Sequence, residues 1–424
     1  MKSVLLQPRQ INLKRRLSVE DLRFNIKHIK QIVFELTERC NLACRYCTYG
    51  RYYQMAPERK LLDIKWEYIK NVVDYIYAVK DSGSELYVGF YGGEPLLKFD
   101  LIKKTIDYCQ TINRKGIKFL YGMTTNGVLL HKYADYLVEN NFSLLISLDG
   151  DRQANSFRVF HNGEESFDVV YKNVKKIASD YPTYFKKQVK FNAVLHQKNN
   201  IPGINRFFQE QFQKAPMIAS LSTDNLHPLY EAEFVKDLYK NYTSDFENFK
   251  SMKVVEGQVK QNAYLSNALR LLSNRNPLFV KDYNELLSPE LYPEKEQSYI
   301  PTATCMPLAD KIFITVQGKI LPCERINHKY QIGSVSGEAV SIDFEYIVKK
   351  YNSYYDKMEP ICNVCAYKDN CQNCMFTMDL DVPKIQCPAF ATQKKMENEV
   401  DEIFEYLNEY PDELYKIIYE IYDA

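Results

Sequence analysis

The feature that most constrains the fold is an alternation of short apolar runs with longer segments of helical period. "QIVFEL" (31–36) has the β-branched and aromatic composition of a strand, and "IKWEYIKNVVDYIYAV" (64–79) spaces its apolar residues as a helix does. Strand-like runs return in "ELYVGFYGGEP", "KFLYGMTTNG", "SLLISLDG" and "VKFNAVL". Strands that alternate with helices form a parallel sheet whose ligand groups lie at the C-terminal strand ends. The sequence therefore predicts an α/β fold, with about six such units before residue 225.

The rest of the chain divides by composition. The strand pattern disappears after residue 225, cysteines gather after residue 300, and two amphipathic segments separated by Pro411 follow residue 390. We predict five regions: an N-terminal extension at 1–29, the strand and helix region at 30–225, a mostly helical bridge at 226–300, a cysteine-rich domain at 301–390 and C-terminal helices at 391–424.

Composition and charge exclude several classes of protein. Of the 424 residues, 46% are hydrophobic and 26% are charged, and no apolar run has the length needed to cross a bilayer. The formal net charge is +1 without basic runs, so neither nucleic acid nor a membrane is expected as a partner. The N-terminal "MKSVLLQPRQ" lacks the apolar stretch of a signal peptide, and we therefore expect a cytoplasmic protein.

Eleven cysteines in such a chain favour metal or redox chemistry over disulfides. Three of them, Cys40, Cys44 and Cys47, follow the first predicted strand within "LTERCNLACRYCTYG". Thiolates are the ligands of iron–sulfur clusters, and a [4Fe–4S] cluster with three protein ligands keeps one iron open. A closed zinc site would need a fourth Cys or His, and no histidine lies within ten residues. Zinc, or thiols that bind no metal, are the alternatives.

The CX3CX2C spacing, with the aromatic Tyr46 before the third cysteine, resembles the signature of radical S-adenosylmethionine (SAM) enzymes. "GFYGGEPLL", "TTNG", "ISLDG" and Arg158 agree with that family in order and in their placement at strand ends. The resemblance covers most of residues 30–200 and implies a partial (β/α)6 TIM-like barrel. It also implies a [4Fe–4S] cluster on the three cysteines, whose open iron is chelated by SAM. Reductive cleavage of SAM would release a 5′-deoxyadenosyl radical that abstracts hydrogen from an unreactive C–H bond.

The same resemblance assigns residues to SAM binding. In the family, the GGEP motif contacts the SAM amino group, the fourth strand faces ribose and carboxylate, and a later Arg pairs with the carboxylate. Carried over, the amino group faces Gly92, Gly93 and Glu94, the ribose and carboxylate face Ser147, Asp149 and Arg158, and the adenine and nucleoside face the Tyr46 backbone, Val194 and Asn126. As alternatives, Gly-Gly-Glu-Pro is a good turn in any protein, Val194 is equally suited to a core, and a single arginine is usually a surface residue.

The later cysteines resemble the SPASM domain, which in that family binds two auxiliary [4Fe–4S] clusters. The resemblance assigns Cys362, Cys365, Cys371 and Cys387 to an outer cluster, and Cys305, Cys323 and Cys374 to an inner one. Two residues separate Cys371 from Cys374 where the family usually has three, and no eighth cysteine precedes Cys305. The fourth ligand of the inner cluster therefore stays open, and a zinc-knuckle-like site is the alternative for the CX2CX5CX2C run.

Enzymes with this domain arrangement modify peptides and proteins. The resemblance implies a maturase that crosslinks a ribosomally made precursor peptide, and Glu324, directly after Cys323, is a candidate base. The alternative is an anaerobic sulfatase-maturating enzyme, although that group usually has Gln where this chain has Tyr91 and Asp where it has Glu324. A catalytically silent peptide-binding scaffold is the alternative of another class.

The expected partners follow from this function. They are a precursor peptide or protein substrate and an electron donor such as flavodoxin or ferredoxin. About 29 residues precede the first strand, too few for the leader-recognition module of many peptide maturases, so a separate leader-binding protein is a further candidate.

Overall fold

The computed structural model describes residues 12–54, 58–240, 299–368, 371 and 373–409. These residues form two compact units. The first comprises 19–240 and 306–347, and the second comprises 12–18, 299–305 and 348–409.

The framework of the first unit is one sheet, to which the described residues contribute ten strands. In chain order they are β1 (Gln31–Thr37), β2 (Glu85–Gly92), β3 (Lys118–Thr125), β4 (Ser143–Ser147), β5 (Val189–Leu195), β6 (Met217–Ser220), β7 (Lys311–Ile314), β8 (Lys319–Leu321), β9 (Gly333–Val335) and β10 (Val340–Ser341). Their order in the sheet is β10-β9-β8-β7-β1-β2-β3-β4-β5-β6. Strands β1 to β6 are parallel and adjacent in chain order, and β7 pairs in parallel with the other side of β1.

Helices connect the parallel strands. The helices of the described residues are α1 (Val19–Lys27), α2 (Trp66–Val79), α3 (Phe99–Ile112), α4 (Leu130–Glu139), α5 (Phe167–Asp180), α6 (Pro182–Gln188), α7 (Ile201–Phe212), α8 (Glu231–Asp237), α9 (Phe344–Asn363) and α10 (Gln393–Glu409). Short 3-10 turns lie at Pro95–Lys98, Ala154–Phe157, His328–Tyr330 and Met375–Thr377. None of the helices within these ranges combines the length and apolar character that a bilayer crossing needs.

The predicted strand and helix alternation is confirmed. All five strand-like runs of the sequence are strands β1 to β5, and the sixth parallel strand is β6. In α2 the buried side chains are Ile69, Val72, Val73 and Ile76, the apolar stripe of the helical period. The fold class is the predicted α/β fold, with six parallel strands connected by helices.

The two faces of the sheet have different surroundings. Along β5, Phe191 and its alternate neighbours are buried, whereas Asn192 and Val194 on the opposite face are half-buried. The Phe191 ring packs against Phe208 and Phe212 of α7, with ring centroids 4.7 and 5.0 Å away. Helices therefore cover one face, and the other, which we call the open face, carries Asn192, Val194 and their register neighbours.

Strands β7 to β10 extend this sheet beyond β1. Phe313 and Ile314 of β7 pair with β1 in parallel and with β8 antiparallel, and β8, β9 and β10 follow as an antiparallel meander. The region predicted as one cysteine-rich domain, 301–390, thus contributes 306–347 to the sheet unit, and 301–305 and 348–390 to the second unit.

In the second unit, Arg16 and Leu17 form hydrogen bonds with residues of α9. The Arg16 Nε donates to Asp356 Oδ1 at 2.7 Å, and Leu17 and Asn352 exchange two hydrogen bonds of 2.8 and 2.9 Å. Most of the predicted bridge, 241–298, and the second C-terminal amphipathic segment after Pro411 lie outside the described residues.

Candidate active site

The three-cysteine loop begins where the regular pairing of β1 ends. The register between β1 and β2 shifts between Glu35 and Thr37, an irregularity that re-aims the chain at the end of the strand. The loop is closed by its own backbone, since Cys47 N donates to Cys44 O at 3.1 Å. Cys40, Cys44 and Cys47 are half-buried and in no disulfide.

These thiols are neighbours and suit an iron–sulfur cluster. Burial raises the pKa of Cys44 to about 12, and the charges of Cys40 and Cys47 add to that rise, whereas the Arg158 guanidinium opposes it. Within the described residues, no three Cys, His, Asp or Glu side chains are arranged to hold a single metal ion. Three adjacent thiols on one short loop fit the donor set of a three-ligand [4Fe–4S] cluster.

A short antiparallel ribbon fixes the loop from the other side. Ala43 N donates to Val159 O at 2.7 Å, Arg45 N donates to Phe157 O at 3.0 Å, and Leu42 forms a bridge with Phe160. This register sets Cys44 opposite Arg158. Arg158, which is 114 residues from Cys44 in the chain, therefore lies at the cysteine loop.

The glycine pair after β2 allows a close backbone approach. A Cβ on Gly93 would lie 2.0 Å from Arg39 O, and one on Gly92 would lie 2.4 Å from Thr37 O. With no Cβ present, Gly93 N donates to Thr37 O at 2.8 Å and Glu94 N donates to Arg39 O at 2.9 Å. The two glycines thus hold the GGEP turn against the start of the cysteine loop.

Glu94 joins the ends of β2 and β3. Its carboxylate is fully buried and accepts hydrogen bonds from Leu96 N at 3.1 Å, the Thr125 hydroxyl at 2.7 Å and Asn126 N at 2.8 Å. Burial raises the pKa of Glu94 to about 7, although these donors oppose the rise. Both carboxylate oxygens accept from the protein, and the predicted contact of Glu94 with the SAM amino group stays a prediction.

Asn126 lies beside the first cysteine. Its Nδ2 donates to Asn41 Oδ1 at 2.7 Å and is 3.6 Å from Cys40 Sγ, while its Oδ1 accepts from Val128 N at 3.0 Å. The predicted polar neighbour of the nucleoside is therefore oriented toward the cysteine loop.

Asp149 is the centre of a buried polar network. Arg158 donates to it through Nε at 3.0 Å and through Nη2 at 2.8 Å, Val194 N donates at 2.9 Å, and the Tyr46 hydroxyl donates as well. Burial alone would raise the pKa of Asp149, but Arg158 and His196 lower it to about 2. The structure thus brings together four of the predicted SAM-site residues, Tyr46, Asp149, Arg158 and Val194.

The sequence analysis missed two polar residues of this network. His196 is fully buried and its Nε2 lies 3.5 Å from Asp149 Oδ2, and Asn199 donates from Nδ2 to Val194 O at 2.9 Å. The available signal was a histidine directly after the last apolar residue of β5, Leu195, at the strand end where ligand groups are expected.

The open face carries further predicted residues. Ser147 of β4 and Asn192 of β5 are register partners, so they point to the same side of the sheet as Val194. All three are half-buried. Asn192 was also missed, although the alternation within "VKFNAVL" places it on the same face as Val194.

Glu324 lies in an ion pair. Lys311 Nζ is 3.3 Å from its Oε1 and 3.2 Å from its Oε2, and the side chain is largely buried. Burial would raise the pKa of Glu324, but the Lys311 ammonium, together with backbone hydrogen bonding, holds it below its usual value. Burial raises the pKa of Tyr91 on β2, and the charges of Glu324 and then Cys47 raise it further. Tyr91 is therefore close to both the candidate base and the cysteine loop.

Four cysteines of the second unit share one cavity of about 300 Å³. They are Cys362, Cys365, Cys371 and Cys387. Burial raises the pKa of Cys362 to about 12, and the other three thiols raise it further, as expected for mutual neighbours. Four thiols around one cavity fit the predicted outer [4Fe–4S] cluster. Zinc shares thiolate ligands with such clusters, so a zinc-knuckle-like site stays the alternative for these cysteines.

Cys305 and Cys374 are drawn together in the same unit. Ala303 N donates to Asn373 O at 3.3 Å, and Met375 N donates to Thr304 Oγ1 at 2.7 Å. Cys323 follows β8 in the sheet unit, so the ligand set of the inner cluster stays a prediction.

Two tyrosine hydroxyls of the second unit, those of Tyr351 and Tyr355, are buried and have no hydrogen-bond partner within the described ranges. Burial raises the pKa of Tyr351, and the charges of nearby groups, which include Cys374 and Cys305, raise it further.

Comparisons with known proteins agree with this geometry. Residues 34–206 match the family model of the Radical SAM superfamily. An uncharacterized protein of Methanocaldococcus jannaschii is 32% identical over 139 residues, which cover 32% of this chain and 45% of that protein. The cysteine-type anaerobic sulfatase-maturating enzyme of Clostridium novyi is 25% identical over 268 residues, 59% of this chain and 67% of that enzyme. The chain thus spans less than half of the first relative and about two thirds of the second.

A solved structure has the same fold over nearly the whole chain. Native anSMEcpe with bound AdoMet and Cp18Cys peptide aligns with a TM-score of 0.61 at 19% sequence identity. The alignment covers 93% of this chain and 99% of that one. The parallel sheet and the cysteine-rich region after it therefore belong to a fold already known.

Proposed function

We propose that this chain, whose residues 34–206 match the Radical SAM superfamily, is a radical SAM peptide maturase. It would abstract a hydrogen atom from one residue of a precursor peptide and install a crosslink such as a thioether or a carbon–carbon bond. The observation that carries this proposal is the Glu324 carboxylate, which is largely buried and paired with Lys311 of β7, the strand that pairs with β1 ahead of the cysteine loop. A largely buried carboxylate on this side of the sheet suits a reaction that removes a proton from the substrate.

When bound, SAM and a [4Fe–4S] cluster supply a 5′-deoxyadenosyl radical on one-electron reduction. In this proposal the chain holds the cluster with Cys40, Cys44 and Cys47, and Arg158 supplies a cation for the SAM carboxylate. The half-buried polar side chains of the open face, Ser147 and Asn192, can hydrogen-bond a nucleoside or a peptide backbone without a charge. Aligning donor and substrate is the main task of the protein, because the radical attacks the nearest C–H bond.

In this proposal, Glu324 is the base that accepts a proton from the substrate. Because Lys311 keeps the pKa of this carboxyl below its usual value, Glu324 is ionised near neutral pH, and its carboxylate can accept a proton from the substrate. For a crosslink, the substrate would lose one hydrogen atom to the radical and one proton to Glu324, and the remaining electron would pass to an auxiliary acceptor. The four-cysteine cavity is the candidate site of such an acceptor.

The first test is anaerobic reconstitution followed by iron analysis and 5′-deoxyadenosine formation from SAM under dithionite. About twelve irons per chain together with deoxyadenosine are expected for three clusters and a working initiator. Peptides encoded near the gene are then assayed by mass spectrometry for the loss of two hydrogen atoms. Glu324→Gln should keep deoxyadenosine formation and lose the peptide product, whereas Glu85→Gln, on an exposed carboxylate of β2, should keep both. Unchanged peptide product in Glu324→Gln would contradict the base assignment.

A second function has specific support. The sulfatase-maturating enzyme of Clostridium novyi matches 59% of this chain, and formylglycine formation is therefore the alternative. Tyr91 and Glu324 stand where that group usually has Gln and Asp, which favours the peptide maturase. Mass spectrometry of a cysteine-containing sulfatase-type peptide separates the two, because formylglycine formation removes the sulfur atom and crosslinking retains it. The match of residues 34–206 to the Radical SAM superfamily, together with the three cysteines of the first loop, favours an enzyme over the scaffold alternative.

The partners follow from this proposal. A peptide substrate is supported by the fold shared with anSMEcpe, whose structure holds a peptide. An electron donor such as flavodoxin or ferredoxin and a separate leader-binding protein are proposed alongside it. The candidate donor is tested by replacing dithionite with a reduced flavodoxin system.

A further inference from the structure

The oxygens of Asp149 are occupied by the protein itself. The side chain is fully buried, its Oδ1 accepts from Arg158 Nη2 and Val194 N, and its Oδ2 accepts from Arg158 Nε and the Tyr46 hydroxyl. A carboxylate offers about four acceptor positions, so these donors use them. Asp149 is therefore placed to hold other residues and not to contact a ligand directly.

His196 faces the same carboxylate. Its Nδ1 accepts from Lys198 N at 3.1 Å, and its Nε2 lies 3.5 Å from Asp149 Oδ2. Asn199 Nδ2, which donates to Val194 O, lies 3.2 Å from the same Nε2. The imidazole stacks on Tyr46 with ring centroids 5.5 Å apart and packs against Phe157 at 4.7 Å. Ring contacts and hydrogen bonds thus leave His196 a single orientation.

Arg158 is the residue that this network fixes. Its Nε and Nη2 donate to Asp149, its guanidinium lies 5.4 Å from the centroid of the Tyr46 ring, and the ribbon with the cysteine loop sets it opposite Cys44. Its third nitrogen, Nη1, makes no hydrogen bond within the described ranges. The anionic group of SAM is its carboxylate, and a buried guanidinium beside the cysteine loop is the complementary charge.

We propose that Asp149 and His196 are positioning residues that lock the Arg158 guanidinium so that Nη1 receives the carboxylate of SAM. The bidentate pair with Asp149 fixes the plane of the Arg158 guanidinium, and the Tyr46 hydroxyl and Val194 N, with the His196 ring beside them, fix the plane of the carboxylate in turn. This inference concerns cofactor binding alone, and it stands whether the substrate is a crosslinked peptide or a sulfatase.

The test compares two ligands that differ only in the homocysteine part. S-Adenosylhomocysteine has the carboxylate and 5′-methylthioadenosine lacks it, and both bind without turnover. Their dissociation constants are measured by calorimetry on the anaerobically reconstituted enzyme without reductant. His196→Phe keeps the ring and loses both ring nitrogens, so S-adenosylhomocysteine should bind about tenfold more weakly. 5′-Methylthioadenosine should bind within about twofold of the wild type.

Two further variants complete the design. His196→Gln retains a donor and should restore most of the affinity for S-adenosylhomocysteine. His131→Phe, on α4 and outside this network, should leave both constants unchanged. Equal weakening of both ligands would show a merely structural role for His196 and overturn the proposal, as would unchanged binding of both. If His196→Phe does not fold, Tyr46→Phe removes another donor to Asp149 while keeping the ring, and the same comparison decides.

Discussion

Gly93→Ala is expected to separate the GGEP turn from the cysteine loop. The added Cβ would lie 2.0 Å from Arg39 O and 2.4 Å from Arg39 C, and both are backbone atoms that cannot rotate away. An ordinary carbon–oxygen contact is about 3.3 Å or more, so the two segments must move apart by at least about 1 Å. That shift breaks the hydrogen bonds from Gly93 N to Thr37 O and from Glu94 N to Arg39 O, which are 2.8 and 2.9 Å long. Each is worth about 1 kcal/mol, and buried groups left unpaired add to the loss. We therefore expect the free energy of unfolding to fall by about 2–4 kcal/mol.

The assay is urea denaturation of the metal-free protein, followed by reconstitution. Gly93→Ala should also retain less iron at the first cluster and form little 5′-deoxyadenosine, because Arg39 directly precedes Cys40. Gly337→Ala is the matched control, since a Cβ there meets no atom within 4 Å. Wild-type stability and iron content in Gly93→Ala would refute the steric reasoning, and equal loss in Gly337→Ala would show that the effect is not specific to this contact.

Two other predictions concern charge and metal content. The pKa of Asp149 is lowered from its usual 3.8 to about 2, so its contribution of about 2 kcal/mol is present above pH 4 and is lost as the pH falls toward 2. In the metal-free protein, Asp149→Asn should remove most of the fall in the free energy of unfolding between pH 4 and pH 2. If that fall is unchanged in the variant, the lowered pKa of Asp149 is contradicted. Cys44→Ala should abolish 5′-deoxyadenosine formation, whereas Cys362→Ser should lower the iron content by about four per chain and leave SAM cleavage intact. SAM cleavage by Cys44→Ala would disprove the proposal that Cys40, Cys44 and Cys47 hold the cluster that binds SAM.

The fold was largely accessible from the sequence, because hydrophobic period is a local property. The runs that became β1 to β5 have strand composition, and the buried stripe of α2 follows from its spacing alone. The extension of the sheet by β7 was not foreseen. Lys311–Ile314 pairs with β1 across 280 residues, and no local pattern specifies such a partner.

The candidate site was only partly accessible. Motif spacing found the cysteines and Arg158, but it could not show that Asp149 is surrounded by donors from 103 and 45 residues away in the chain, Tyr46 and Val194. His196 was missed for the same reason, since only the fold brings it to Asp149. Asn192 was missed although alternation within β5 places it on the face of Val194, and only the register showed that Ser147 shares this face.

The ribbon formed by residues 42–45 and 157–160 makes the cluster loop and the Arg158 segment a single cooperative element. Neither strand of such a ribbon can keep its hydrogen bonds if the other departs, so the two must gain and lose order together. Oxygen that destroys the cluster would therefore also loosen the segment that carries the arginine.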